Sequence, residues 1–100
     1  MSSTVAMKIR LMRKSEMLTQ EKMAEITGIT LSALRQYEQG RNEPNLESTK
    51  KLLKSPIFRK YRDWILFDEV NPKVGQVVPA LAHIGLDDSE VSHYGSKTGE

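Results

Sequence analysis

The segment TQEKMAEITGITLSALRQYEQGR, residues 19–41, constrains this chain most. Thr19 and Thr30 each stand where a side-chain hydroxyl can cap a helix start, although Lys22 occupies the place where a reciprocal capping box prefers Glu. After Thr19, Met23, Ala24 and Ile26 or Thr27 give one short apolar stripe, and Gly28 ends it in a left-handed conformation. After Thr30, Leu31, Leu34 and Tyr37 repeat at helical spacing until Gly40. The result is two short helices joined by a three-residue turn. Ala24 falls where the helices approach each other, and a bulkier residue there would push them apart. Ile29 and Leu34 lock the angle between them, and Gly28 supplies a backbone angle that a β-carbon would strain.

The flanking sequence extends the helical reading. Val5, Ile9 and Met12 form one stripe over residues 4–14. Residues 42–45 read as a loop, and Leu46, Leu52 and Leu53 mark a fourth helix that stops before Pro56. A fifth helix over residues 57–70 carries Phe58, Tyr61, Trp64, Ile65 and Phe67, whose rings cover more than one face. In a chain of 100 residues this surplus apolar surface has to meet another element or a second subunit. That makes a dimer face or core a better reading than a ligand pocket. Asn71-Pro72 breaks the helix, and residues 74–81 read as a short extended segment, an edge strand interrupted by Gly75 and Pro79. Val77, Val78 and Leu81 would pair that strand with a second copy. The polar stretch at 87–100 reads as a disordered tail.

Charge and residue types narrow the function. The net charge is +2, yet Asp87, Asp88, Glu90 and Glu100 against Lys97 give the tail −3, leaving residues 1–86 with 14 basic and 9 acidic side chains. A basic body suits a polyanionic partner. Lys50, Lys51 and Lys54 read as a solvated helix face that adds salt-dependent attraction to nucleic acid. Absence of cysteine removes disulfides and thiolate metal sites and suits the cytoplasm, and His83 and His93 have no zinc-binding spacing. No apolar run approaches the ~20 residues of a membrane span, and MSSTVAMKIR lacks the apolar centre of a signal peptide. Neither a Gly-rich phosphate loop nor a Ser-His-Asp set is placed on ordered elements, so the chain does not read as an enzyme and no cofactor is expected. Two other binding functions fit the same helices: an antitoxin whose C-terminal half grips a toxin, and a helical interaction module without DNA affinity.

Residues 1–55 resemble the Cro/C1-type helix-turn-helix family, through the Leu18-Thr19-Gln20 entry, the Gly28-Ile29-Thr30 turn and the Tyr37-Glu38-Gln39-Gly40-Arg41 exit. Leu11 to Glu16, Lys60-Tyr61 before Trp64, Gly75-Gln76, Pro79 to His83 and Lys97-Thr98-Gly99 extend the likeness to the short immunity repressors of Peduovirus-type temperate phages. The resemblance implies a mainly α, five-helix, lambda-repressor-like fold with a short C-terminal extended segment, divided into a helix-turn-helix DNA-binding region at 1–55, a dimerisation helix and extended segment at 56–86, and the tail at 87–100. It further implies a homodimeric repressor that silences an early lytic promoter and maintains lysogeny. The operator is then either a palindrome, as is usual for the motif, or a direct repeat, as in that group. An antirepressor protein is a possible further partner, and induction by self-cleavage is not expected.

Residue roles follow from this placement. Thr30, Leu31, Ser32, Arg35 and Gln36 would enter the major groove, Arg35 on guanine, Gln36 on adenine and Leu31 on a thymine methyl. Gln20, Arg41 and Asn42 would hold phosphates, helped by backbone amides at the helix start. Tyr37 reads as core from its spacing with Leu34. The resemblance makes Arg13 and Glu38 a structural ion pair, while the surplus apolar surface after residue 56 assigns the dimer interface to Phe58, Tyr61, Trp64, Ile65, Val77, Val78 and Leu81.

Overall fold

Each of the first four helices begins at a hydroxyl or amide side chain that accepts an otherwise unpaired backbone N–H. In the computed structural model, which describes residues 4–84, Thr4 Oγ1 accepts from the Met7 N–H at 3.1 Å and opens α1, Val5–Ser15. Thr19 accepts from Lys22 N–H at 3.0 Å and opens α2, Gln20–Thr27. Thr30 accepts from Ala33 N–H at 3.1 Å and opens α3, Leu31–Glu38. Asn45 Oδ1 accepts from Ser48 N–H at 2.8 Å and opens α4, Leu46–Lys54. Such caps typically contribute about 1 kcal/mol each.

The chain reverses where a left-handed residue is available. Gly28, at φ 82°, separates α2 from α3, and the Thr27 hydroxyl donates to Met23 O while accepting from Ile29 N–H. After α3, Gly40 at φ 77° lets its own N–H reach Tyr37 O and that of Arg41 reach Gln36 O. These two crossing bonds satisfy carbonyls that a helix end leaves open. The same arrangement follows α1, with Met17 at φ 60° in the position that usually carries glycine.

α1 is the central element and packs against α3, α5 (Arg62–Phe67) and α6 (Ala80–Ile84). Ile9 and Met12 from α1, Met23 from α2, Leu34 from α3, Leu52 from α4 and Phe58 form a core that solvent does not reach. Burying each of these side chains is worth roughly 1.5–3 kcal/mol.

Beyond residue 56 the structure departs from the sequence reading. In place of one helix over 57–70 there is a 3-10 turn, Arg59–Tyr61, running into the short α5. Phe58, Tyr61 and Trp64 are three apart, a spacing that stacks side chains on one side of a 3-10 turn. All three point into the chain's own core, at 0%, 3% and 9% exposure. Within one chain the rings therefore fill the core, one of the two roles that the sequence leaves open for them. Ile65, Val77, Val78 and Leu81 are partly buried against the same core.

The expected edge strand is also absent. Among the described residues there is no sheet, only an isolated pairing in which Asn71 and Gln76 exchange backbone hydrogen bonds around a 3-10 turn, Pro72–Val74. Gly75, at φ 82°, completes that turn. Pro72 and Pro79 each lack the N–H that a ladder requires, and among the described residues no other strand is present to pair with. Residues 80–84 instead form α6, whose Leu81 N–H donates to Ser15 Oγ at 3.0 Å. The domain therefore has six α-helices in its described part, not five and a strand. The expected tail at 87–100, with His93, lies outside the described residues.

Two buried polar residues hold this C-terminal part in place. Lys8 is 4% exposed, and its Nζ donates to Trp64 O and Ile65 O while pairing with Asp68 at 2.6 Å. It thereby caps the last carbonyls of α5 from α1, with its charge 5.3 Å from the centre of the Trp64 ring. The Gln76 amide donates to Arg59 O at 3.2 Å and accepts from Asp63 N–H at 2.9 Å, filling the junction between the 3-10 turn and α5.

Candidate nucleic-acid interface

Helix α3 is divided lengthwise by its own periodicity. Leu34, Tyr37 and Glu38 face inward and are buried, whereas Thr30, Ser32 and Arg35 are exposed and Leu31 and Gln36 half-buried. The five side chains expected to read bases therefore lie together on the outer surface of α3 and its cap. A helix of this size fits the major groove, which is ~12 Å wide.

The inner face fixes how α3 is presented. Glu38, 4% exposed, accepts from Arg13 Nε at 2.8 Å and from Arg13 Nη2 at 2.9 Å, a two-pronged contact across to α1. Arg13 Nη1 also donates to Leu18 O, and Arg10 Nη2 donates to Glu38 O. Gln20 Nε2 donates to Glu38 Oε1 at 3.1 Å, so one amide hydrogen of this expected phosphate contact serves the buried network. Tyr37 is core, as its spacing indicates, and its hydroxyl donates to Ser48 Oγ at 2.9 Å, tying α3 to α4. Three helices thus hold the reading helix from behind.

The outer face has its own organisation. Asn42 Nδ2 donates to Gln36 Oε1, so a residue expected on phosphate and one expected on a base are joined. That bond uses the Gln36 amide oxygen and leaves its NH2 group outside the contact. Arg35 Nη2 lies 3.6 Å from Glu21 Oε2, a pairing across the two helices of the motif. Arg41 is exposed beyond the end of α3, and Lys50, Lys51 and Lys54 are exposed on α4, with Lys51 3.9 Å from Glu47. Neither the Glu21 contact nor the support from Asn42 is signalled in the sequence, since Glu21 and Arg35 belong to different helical periods and meet only when the turn folds.

At the C-terminal end of α1, Glu16 accepts a hydrogen bond from the Tyr61 hydroxyl and pairs with Lys60 at 3.0 Å. Burial pushes the Glu16 carboxyl up, but the Tyr61 hydroxyl and the Lys60 charge outweigh it and leave the carboxyl below its ordinary range. Burial, with the carboxylate beside it, pushes the Tyr61 phenol well above its own range. This cluster locks the end of α1 to the 3-10 turn and lies apart from the reading face.

A core-mounted helix with a polar outer face, preceded by a second helix of equal length and a glycine turn, defines the helix-turn-helix class of DNA-binding proteins. The helix-turn-helix family model matches residues 9–55. The chain is also 41% identical over 99 residues to Repressor protein C of Escherichia phage P2, an alignment covering 99% of this chain and all of that protein. It belongs to the Cro/C1-type helix-turn-helix family of phage repressors. Among the described residues, no helix is long and apolar enough to cross a membrane.

Proposed function

We propose that the chain is a repressor of the phage immunity type, which binds double-stranded operator DNA as a homodimer, silences an early lytic promoter and so maintains lysogeny. The observation that carries this reading is the division of α3. Its outer face offers Arg35, Gln36, Ser32 and Thr30, while its inner face is clamped to α1 by the buried Arg13–Glu38 contact. Arg35 reads guanine, Gln36 presents its NH2 to an acceptor on a base edge, and Leu31 meets a thymine methyl. Arg41, Asn42, the second amide hydrogen of Gln20 and the backbone N–H groups opening α2 hold phosphates.

The dimer face moves from the sequence-predicted rings to the apolar side chains that the fold leaves outside. Leu66, Phe67, Val70 and Val74 are 47–65% exposed over the end of α5 and the turn that follows. A second copy covering them gives each protein pair two reading helices. An antirepressor protein would act by engaging the reading face or this dimer face.

The test is a pair of substitutions measured on selected operator DNA and on random DNA. Arg35→Ala relaxes sequence preference, by about 1–3 kcal/mol at one base pair, whereas Arg41→Ala weakens both DNAs alike. Interchanged effects would overturn these roles.

A further inference from the structure

The pairing of Arg35 with Glu21 places a negative charge inside the DNA-facing surface, where it cannot help attraction to phosphate. Both side chains are solvent-facing, at 50% and 66% exposure, so the contact adds little to stability. Glu21 is in the first turn of α2, the helix behind the reading helix, and it reaches across the turn to a residue of α3.

We infer that Glu21 is a specificity-determining positioning residue, which keeps Arg35 off the phosphate backbone and leaves it usable only on a matching base. This rests on the reading of Arg35 as a base contact. A guanidinium carries five N–H donors in a fixed fork, so it can keep one edge on a carboxylate while another edge meets two acceptors. The O6 and N7 atoms of guanine are neutral acceptors of that kind. On a matching site Arg35 therefore bridges Glu21 and the base, and the ion pair survives. On DNA without that guanine, Arg35 would turn to a phosphate. It then either leaves Glu21 unpaired beside the polyanion or brings the carboxylate against phosphate oxygens. Either course weakens binding to the wrong sequence more than to the right one.

The experiment compares wild type, Glu21→Gln, Arg35→Ala and the double variant on operator DNA selected from a random pool and on random duplexes, across a salt series. Glu21→Gln is expected to strengthen random-DNA binding about two- to fivefold while changing operator binding less. The slope of log affinity against log salt on random DNA should steepen by about 0.9, the signature of one added phosphate contact. In the Arg35→Ala background the Glu21 substitution should no longer alter the ratio of the two affinities. Equal strengthening on both DNAs, or an effect that persists without Arg35, would mean general charge repulsion and would overturn the inference. If Arg35→Ala alone leaves the ratio unchanged, the inference falls too, but recognisably because Arg35 does not read a base.

Discussion

Replacing Glu38 with leucine tests whether the buried contact behind α3 holds the reading helix in place. The substitution removes two charge-assisted hydrogen bonds from Arg13 and one bond from Gln20, at 2.8, 2.9 and 3.1 Å. Charged bonds of this kind contribute about 1.5–3 kcal/mol each, so their simple sum would exceed 4 kcal/mol. Arg13 keeps its bond to Leu18 O and is 12% exposed, which lets some water reach the stranded guanidinium. The expected loss is therefore about 3–5 kcal/mol, the range for a buried charge deprived of its partner and a large share of a small domain's total stability. Glu38→Gln keeps the shape and one acceptor, and should lose about 1–3 kcal/mol while remaining folded. The double variant Arg13→Met/Glu38→Leu removes both charges and should be more stable than Glu38→Leu alone, because no uncompensated ion remains. Urea unfolding followed by circular dichroism gives the stabilities of the parent, of these three variants and of Arg13→Met at constant slope. A loss below about 1 kcal/mol for Glu38→Leu, or strict additivity in the double variant, would refute the account of a desolvated, mutually dependent pair.

Three further expectations concern other parts of the molecule. Lys8→Met removes the cap on the last carbonyls of α5 and should cost about 2–4 kcal/mol in urea unfolding, with Trp64 fluorescence reporting the loosened contact. Met17→Gly should stabilise by about 0.5–1 kcal/mol in a thermal melt, because this 91% exposed side chain gives little packing and its backbone is left-handed. The folded Glu16 carboxyl titrates below its unfolded value, so its contribution is complete above about pH 4.3 and disappears as pH falls through the lower, folded value. Unfolding midpoints measured from pH 6 to pH 2 should fall less steeply in Glu16→Gln than in the parent chain.

The N-terminal half was legible in the sequence because its determinants are local. Thr19, Thr30, Gly28 and Gly40 act within four residues of where they sit, and Leu34 with Tyr37 gives the buried side of α3 by spacing alone. The region after Pro56 was not legible in this way. A spacing of three between Phe58, Tyr61 and Trp64 suits a long helix as well as a 3-10 turn, and the choice depends on distant residues. Lys8 reaches its carbonyl partners 56 and 57 positions away, and Gln76 its partners 13 and 17 positions away. Both are polar types that ordinarily stay in water, so no apolar pattern announces them. The site divides between local and distant determinants in the same way. The outer residues of α3 followed from periodicity, but the contacts of Gln36 with Asn42 and Arg35 with Glu21 arise only once the turns bring those segments together.

The lengthwise division of α3 also bears on how such a repressor can diversify. Leu34, Tyr37 and Glu38 carry the structural obligations of the helix body and Thr30 caps its start, whereas positions 32 and 35 carry almost none, since their side chains face solvent. Exchanging the outer residues therefore changes which DNA is addressed without reopening the folding problem. Lineages sharing this scaffold can become blind to one another's operators in few mutational steps, each intermediate remaining a folded protein.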